Sequence, residues 1–379
     1  MQRDSLDWLL SNAVERGYVP GVVVVVATRE SVLYRGAFGK LADDPVIDMT
    51  ADAIFPVASM TKPVTSVGVM MLREQGLIDL DDAVSEYLPE FEGKEVIAGF
   101  DESDASYTTR PATTEVTIRH LMTHTAGFGY GFSSPIVRDL SRGAAGLGPR
   151  EFPLLHDPGS KWTYGTSTRV LGWVIEKIAA EPLDAFFDSR ILAPLGMTDT
   201  GFGLKSECFG RLVAQSRRVG ATLVTGSGQR PPSSHVFGDA GLFSTADDYM
   251  RFVRMLLNGG ELDGVRLLAA ESVNEMITNQ IGTLMVERQP GAMPERSRSF
   301  PLGAGRDKWG LGFQLKVGAE DGSRPPGSYS WAGIHNTHFW GDPHNGIGVV
   351  MLTRVLPFYD EGCIRLLTDL ERRVYQNLE

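Results

Sequence analysis

Apolar positions change period several times along the chain, and each change predicts an element. Leu6, Leu9, Leu10, Ala13 and Val14 recur at helical spacing over residues 4–16, and Gly17 follows where a helix would end. Residues 22–27 are a continuous β-branched run and 32–38 a second strand-like segment. The four polar residues between them predict an antiparallel hairpin. Five consecutive valines predict a strand covered on both faces. A long apolar helix follows from about residue 59 to Gly76. Residues 79–116 are polar and turn-rich, which predicts a surface loop.

Thr117 is placed to cap a short helix to residue 123, and 129–158 is irregular and rich in glycine and proline. Val170, Leu171, Val174, Ile175 and Ile178 share one face of a helix over 167–180, and 183–192 forms another, stopped by Pro194. Residues 201–235 show no single period. A Ser/Thr cap before Asp247 and Asp248 predicts a helix to Asn258, ended by Gly259 and Gly260, with a further short helix over 271–278. Residues 282–307 predict an exposed loop. Strand-like runs at 310–317, 329–340 and 346–353 precede a last helix over 359–375. Strands at both ends with helices between predict an α+β fold, one antiparallel sheet flanked by helices plus a mainly helical domain. The boundaries expected are 1–80 with 236–379 for the sheet domain and 81–235 for the helical insertion.

Composition narrows the function. The 379 residues carry a formal charge of −11, so nucleic acid and anionic membrane surfaces are disfavoured partners. Mean hydropathy is −0.09, and the longest apolar run is too short to span a bilayer. The N-terminus lacks a secretory pattern, so a cytoplasmic location is expected. Cys208 and Cys363 have no metal-ligand spacing and read as packing residues. The composition leaves the oligomeric state open.

Chemistry concentrates at Ser59-Met60-Thr61-Lys62, the only Ser-x-x-Lys in the sequence. At a helix start this spacing puts a lysine one turn beyond a serine on the same face, within reach of its hydroxyl. Pro63 suits the first helical turn, and unpaired N–H groups there would face a reacting centre. Only eight of 36 basic residues are lysine, and lysine, unlike arginine, can lose its proton when buried. Tyr164, in a turn ahead of a helix, is the candidate second proton-handling group, with its phenolate favoured if the lysine lies beside it.

Other chemistries find less support. His120 and His124 are four apart but lack the glutamate of a His-Glu-x-x-His site, and strand alternation would send His335 and His338 to opposite faces. No metal or cofactor is expected. There is no Gly-x-Ser-x-Gly elbow, and Asp239, Asp247 and Asp248 read as turn and cap residues.

The Ser59 motif, His120 to Gly127, Tyr164 ahead of Leu171-Gly172, Pro194 to Met197, Gly241 to Thr245 and Trp331-Ala332-Gly333 occur in an order that resembles the serine β-lactamase and penicillin-binding-protein superfamily. The similarity is greatest to its class C-like branch, which includes family VIII carboxylesterases. The resemblance implies a β-lactamase/transpeptidase-like fold with its site in a crevice. It implies Ser59 as nucleophile, Lys62 as base and Tyr164 as a partner in proton transfer. Backbone N–H groups of Ser59 and Ile334 would form the oxyanion hole, with Trp331, Gly333, His335, Thr166 and His124 near substrate.

Two departures bear on substrate. Trp331-Ala332-Gly333 stands where lactam- and peptide-directed members carry Lys-Thr-Gly, and Thr166 replaces the asparagine of Tyr-x-Asn. Both favour a small neutral carboxylic ester, with hydrolysis or acyl transfer to an alcohol. An amidase, a D-amino-acid peptidase or a weak β-lactamase is the alternative within enzymes, and a catalytically silent binding protein the alternative outside them.

Overall fold

The valine run becomes the centre of the molecule. The computed structural model describes residues 3–143, 148–226, 235–320 and 322–376, and in it Gly21–Thr28 is an interior strand of an eight-stranded antiparallel sheet. The strands follow the spatial order Lys308–Trp309, Gln314–Leu315, Tyr329–Gly333, Thr337–Asp342, Ile347–Leu352, Gly21–Thr28, Val32–Asp43 and Val46–Asp48. Gly21–Thr28 pairs on one side with the next strand in sequence and on the other with Ile347–Leu352, so the two chain ends are joined through it.

Both faces of that strand are covered. Val23 and Val25 enter the larger core, which contains Val64, Val67 and Met70 of the helix Thr61–Glu74. Val22, Val24 and Val26 enter a second core with Leu6 and Leu10 of Arg3–Glu15 and Leu366 and Leu370 of Glu361–Gln376. Alternation of side chains across a strand explains how one run serves two cores. Thr245 caps Ala246–Leu257 by accepting from the Asp248 N–H at 3.1 Å, and Thr117 caps Ile118–Met122 through the His120 N–H at 3.2 Å.

Three expectations change. The polar stretch 79–116 holds a hairpin, Glu95–Phe100 with Tyr107–Pro111, whose residues are mostly exposed and so leave little hydrophobic period. Residues 282–307 are partly interior, because Val286, Gln289, Ser297 and Phe300 are buried and the Arg298 N–H donates to Phe358 O at 2.9 Å. The run 329–340 is two strands divided by a turn at 334–336, where Asn336 takes φ 59°. Parts of two irregular stretches, 144–147 and 227–234, lie outside the described residues. Among the described residues no helix is long and apolar enough to cross a membrane.

Candidate active site

Ser59 sits in a single 3-10 turn, Ala58–Met60, which runs directly into Thr61–Glu74. Ala58 has φ 47°, a conformation uncommon outside glycine that turns the chain sharply ahead of the serine. The turn is fixed from outside. Tyr249 Oη donates to Met60 O at 2.8 Å, the Leu242 N–H donates to Thr61 Oγ1 at 3.3 Å, and Phe55–Pro56 pairs with Phe243–Ser244. The motif 241–245 therefore acts as a clamp on the serine turn.

Lys62 is 1% exposed, and its Nζ lies 3.2 Å from Ser59 Oγ, 2.9 Å from Tyr130 Oη and 2.9 Å from the main-chain oxygen of Asp239. Burial lowers its pKa to about 7, against the opposing influence of Asp239 and with a smaller lowering from Arg169. A neutral amine has two N–H donors and one lone pair. Donation to Tyr130 and to the Asp239 carbonyl leaves the lone pair for the Ser59 hydroxyl.

Behind the lysine lies a polar chain that the sequence did not disclose. Tyr130 Oη donates to Asp239 Oδ2 at 2.5 Å, and Arg169 grips the same carboxylate through Nε at 3.0 Å and a terminal nitrogen at 3.2 Å. Asp239 sits in the turn 237–240, as expected, but its side chain is fully buried and forms an ion pair with Arg169 that the sequence did not indicate. Burial, then the Asp239 charge, pushes the Tyr130 hydroxyl well above the ordinary phenol range. Glycines flank Tyr130 at 129 and 131, and this was the one local signal that could have drawn attention to it.

Tyr164 is 2% exposed. Its hydroxyl is hydrogen-bonded to Ser59 and accepts from Trp331 Nε1 at 3.2 Å. The expectation that a neighbouring lysine favours its phenolate is overturned. Lys62 Nζ stands 4.9 Å from the ring centroid, and burial raises the Tyr164 pKa despite both hydrogen bonds. The resting group is a neutral phenol that can donate a proton.

The other expected residues are dispersed around this centre. Trp331 is buried and tilted against Tyr164 with centroids 4.8 Å apart. A Cβ at Gly333 would come 2.3 Å from Val57 O, so glycine there lets the strand close on the serine turn. Ile334 and His335 occupy the turn after Gly333, not a strand, while His338 lies on Thr337–Asp342; the separation of the two histidines comes from the turn and not from strand alternation. Thr166 is the half-buried residue before Ser167–Ala179 and makes no side-chain cap bond. His124 lies under the Tyr164 ring at 4.8 Å and is 1% exposed, and burial followed by the Lys62 charge keeps its imidazole well below the usual histidine range. Phe300 and Trp309, both unpredicted, complete the aromatic box: Phe300 meets Tyr164 at 5.6 Å, and Trp309 meets Trp331 at 4.7 Å. No group of three or more His, Cys, Asp or Glu among the described residues could hold a metal ion.

Comparison with known proteins gives a consistent picture. A family model described as Beta-lactamase matches residues 6–371. Protein Rv1367c of Mycobacterium tuberculosis is 34% identical, with 94% of this chain and 91% of that protein aligned. Monacolin J acid methylbutanoyltransferase of Aspergillus terreus is 27% identical over 96% and 93% of the two chains, and esterase EstB of Burkholderia gladioli is 28% identical over 92% and 89%. Among solved structures, a variant of simvastatin synthase from Aspergillus terreus superposes with a TM-score of 0.83 at 26% identity, covering 98% of this chain and 97% of that one. Relatives thus include both esterases and acyltransferases.

Proposed function

The chain belongs to the beta-lactamase family, and we propose that it cleaves small carboxylic esters through an acyl-enzyme on Ser59, passing the acyl group to water or to an alcohol. The observation that carries this reading is the buried Lys62 amine, with a pKa of about 7, 3.2 Å from Ser59 Oγ and inside a ring of acceptors. Relatives named as an esterase and an acyltransferase support it.

In the proposed reaction Ser59 Oγ attacks the ester carbonyl while its proton passes to Lys62. The carbonyl oxygen, now negative, is held by the Ser59 and Ile334 N–H groups; one such donor is typically worth about 2.7–4 kcal/mol of barrier. As the tetrahedral intermediate collapses, the C–O bond to the alcohol breaks and the leaving oxygen takes a proton through Tyr164, which Lys62 replenishes. Water or a second alcohol then enters along the same path, Lys62 accepts its proton, and the serine is regenerated. Trp331 stands beside Tyr164 where a cation would greet an anionic leaving portion, which favours a substrate neutral on that side.

Hydrolysis of p-nitrophenyl butyrate tests the reading. Ser59→Ala is expected to lower kcat by at least about a thousandfold, with a butyryl adduct on wild-type protein alone by intact mass. Full activity in Ser59→Ala would remove the central assignment. Hydrolysis of nitrocefin or a D-alanyl peptide in preference to the ester would favour a lactamase or peptidase, and binding of the ester without turnover would favour a silent binding protein.

A further inference from the structure

A second feature adjoins the serine turn. A cleft of about 300 Å³, at the small end of ligand pockets, is lined by Ala58, His335 and Arg296 together with the apolar Phe237, Leu242 and Phe243. Ala58 immediately precedes Ser59, and His335 immediately follows Ile334. The cleft therefore adjoins the two N–H groups assigned above to the oxyanion. With the carbonyl oxygen against those groups and the leaving oxygen against Tyr164, the remaining substituent of the carbonyl, the acyl chain, points into this cleft.

One wall carries a cation. Arg296 lines the cleft beside His335 and pairs with no carboxylate among the described residues, while Arg354 and Arg217 act on the His335 ring through their charge from outside the lining. Arg354 is 7% exposed, donates to Val213 O, and leaves its Nε buried without a partner. His335 Nδ1 is likewise buried and unpartnered. Burial and the three guanidiniums hold the His335 pKa near 3, so the ring is neutral at physiological pH. Arg296 is exposed and lines the cleft beside the unpartnered His335 Nδ1, so the pair offers an entering anion a charge-assisted hydrogen bond and a second polar contact.

We propose that this cleft selects acyl groups ending in a carboxylate, so that preferred substrates are half-esters of short dicarboxylic acids, with the methylene spacer along Phe237, Leu242 and Phe243 and the terminal carboxylate read by Arg296 and His335. The proposal rests on the Ser59 acyl-enzyme above and names its acyl group. It accounts for the absence of a strand lysine, because the anion is recognised on the acyl side of the bond and not on the leaving side.

The test compares p-nitrophenyl hemiglutarate with p-nitrophenyl valerate, which have acyl chains of equal carbon number. Wild type is expected to favour the half-ester in kcat/KM by at least about tenfold, equal to roughly 1.4 kcal/mol. That ratio should shrink as ionic strength rises, fall toward one in Arg296→Ala, and be partly kept in Arg296→Lys. A ratio of one or less in wild type, or an unchanged ratio in Arg296→Ala, overturns the proposal while leaving Ser59 chemistry standing if both esters are still cleaved through Ser59. Loss of all ester cleavage would overturn both. A valerate ester of a phosphorylated alcohol forms the third arm: if it outperforms its unphosphorylated counterpart while the half-ester shows no advantage, the anion belongs to the leaving group and the acyl assignment is wrong.

Discussion

Lys62 depends on a balance between burial, which drives its proton off, and Asp239, which holds it on. In the proposed reaction the neutral amine is the base, so kcat/KM is expected to rise with pH through about 7 and level off above it. Asp239→Asn keeps the shape and removes the charge that favours lysine protonation, so this limb should move toward lower pH. The groups around Lys62 that could share the titration are Tyr130, Tyr164, His124 and Arg169, and the two tyrosines and the histidine are held neutral by burial. A limb that stays in place or moves alkaline would show that Asp239 does not act on Lys62. Tyr130→Phe removes only the hydroxyl between Lys62 and Asp239. A hydrogen bond to a charged group is worth about 1.5–3 kcal/mol, so the thermal midpoint should fall, and kcat/KM, measured on folded protein, should fall roughly 10- to 100-fold as well; a midpoint that falls while kcat/KM holds would make Tyr130 structural. The serine and lysine were legible because their relation is local, three residues on one helix. The rest of the chain was not, because Asp239 meets Arg169 and Tyr130 across 70 and 109 residues, and next to Gly238 and Gly241 it looks like any turn aspartate.

Among the elements, the turn 334–336 is the one that the hydrophobic pattern concealed. It contains no glycine or proline, so 329–340 read as one strand. Asn336 makes the turn instead: its side-chain amide donates to Val355 O at 3.0 Å and to Pro357 O at 2.9 Å, its Oδ1 accepts from the Tyr359 N–H at 2.9 Å, and asparagine tolerates the left-handed backbone. Asn336→Ala loses all three bonds and adds strain, at a cost of about 2–4 kcal/mol. Because the turn carries the Ile334 N–H, kcat should fall with little change in KM, measured on the folded fraction at low temperature. A loss confined to stability would separate the turn from the chemistry. Residues 282–307 hide their interior part in the same way. Phe300 is one aromatic residue among arginines and prolines in sequence, yet in space it touches Tyr164, Phe132, Phe358 and Tyr359. Helices with strong caps, such as Ala246–Leu257, were readable end to end because capping and periodicity are both local.

For the whole molecule, the division of the sheet into two cores separates stability from chemistry. The larger core includes Met60, Tyr164, Trp309 and Trp331, so packing changes there alter the catalytic geometry directly. The second core, between the sheet and the two terminal helices, contains none of the residues assigned to the reaction. Leu370 is fully buried there, on the last helix. Leu370→Ala should cost about 2–5 kcal/mol through lost burial and the cavity left behind. Gly21–Thr28, laddered to Val32–Asp43 and Ile347–Leu352, separates the two cores, so a void at Leu370 leaves the side chains of the larger core their own packing partners. Urea unfolding should therefore report the full loss while kcat/KM toward p-nitrophenyl butyrate, measured well below the transition, stays within about twofold of wild type. If activity falls in step with stability, the terminal helices reach the serine through the valine strand, and the two cores act as one.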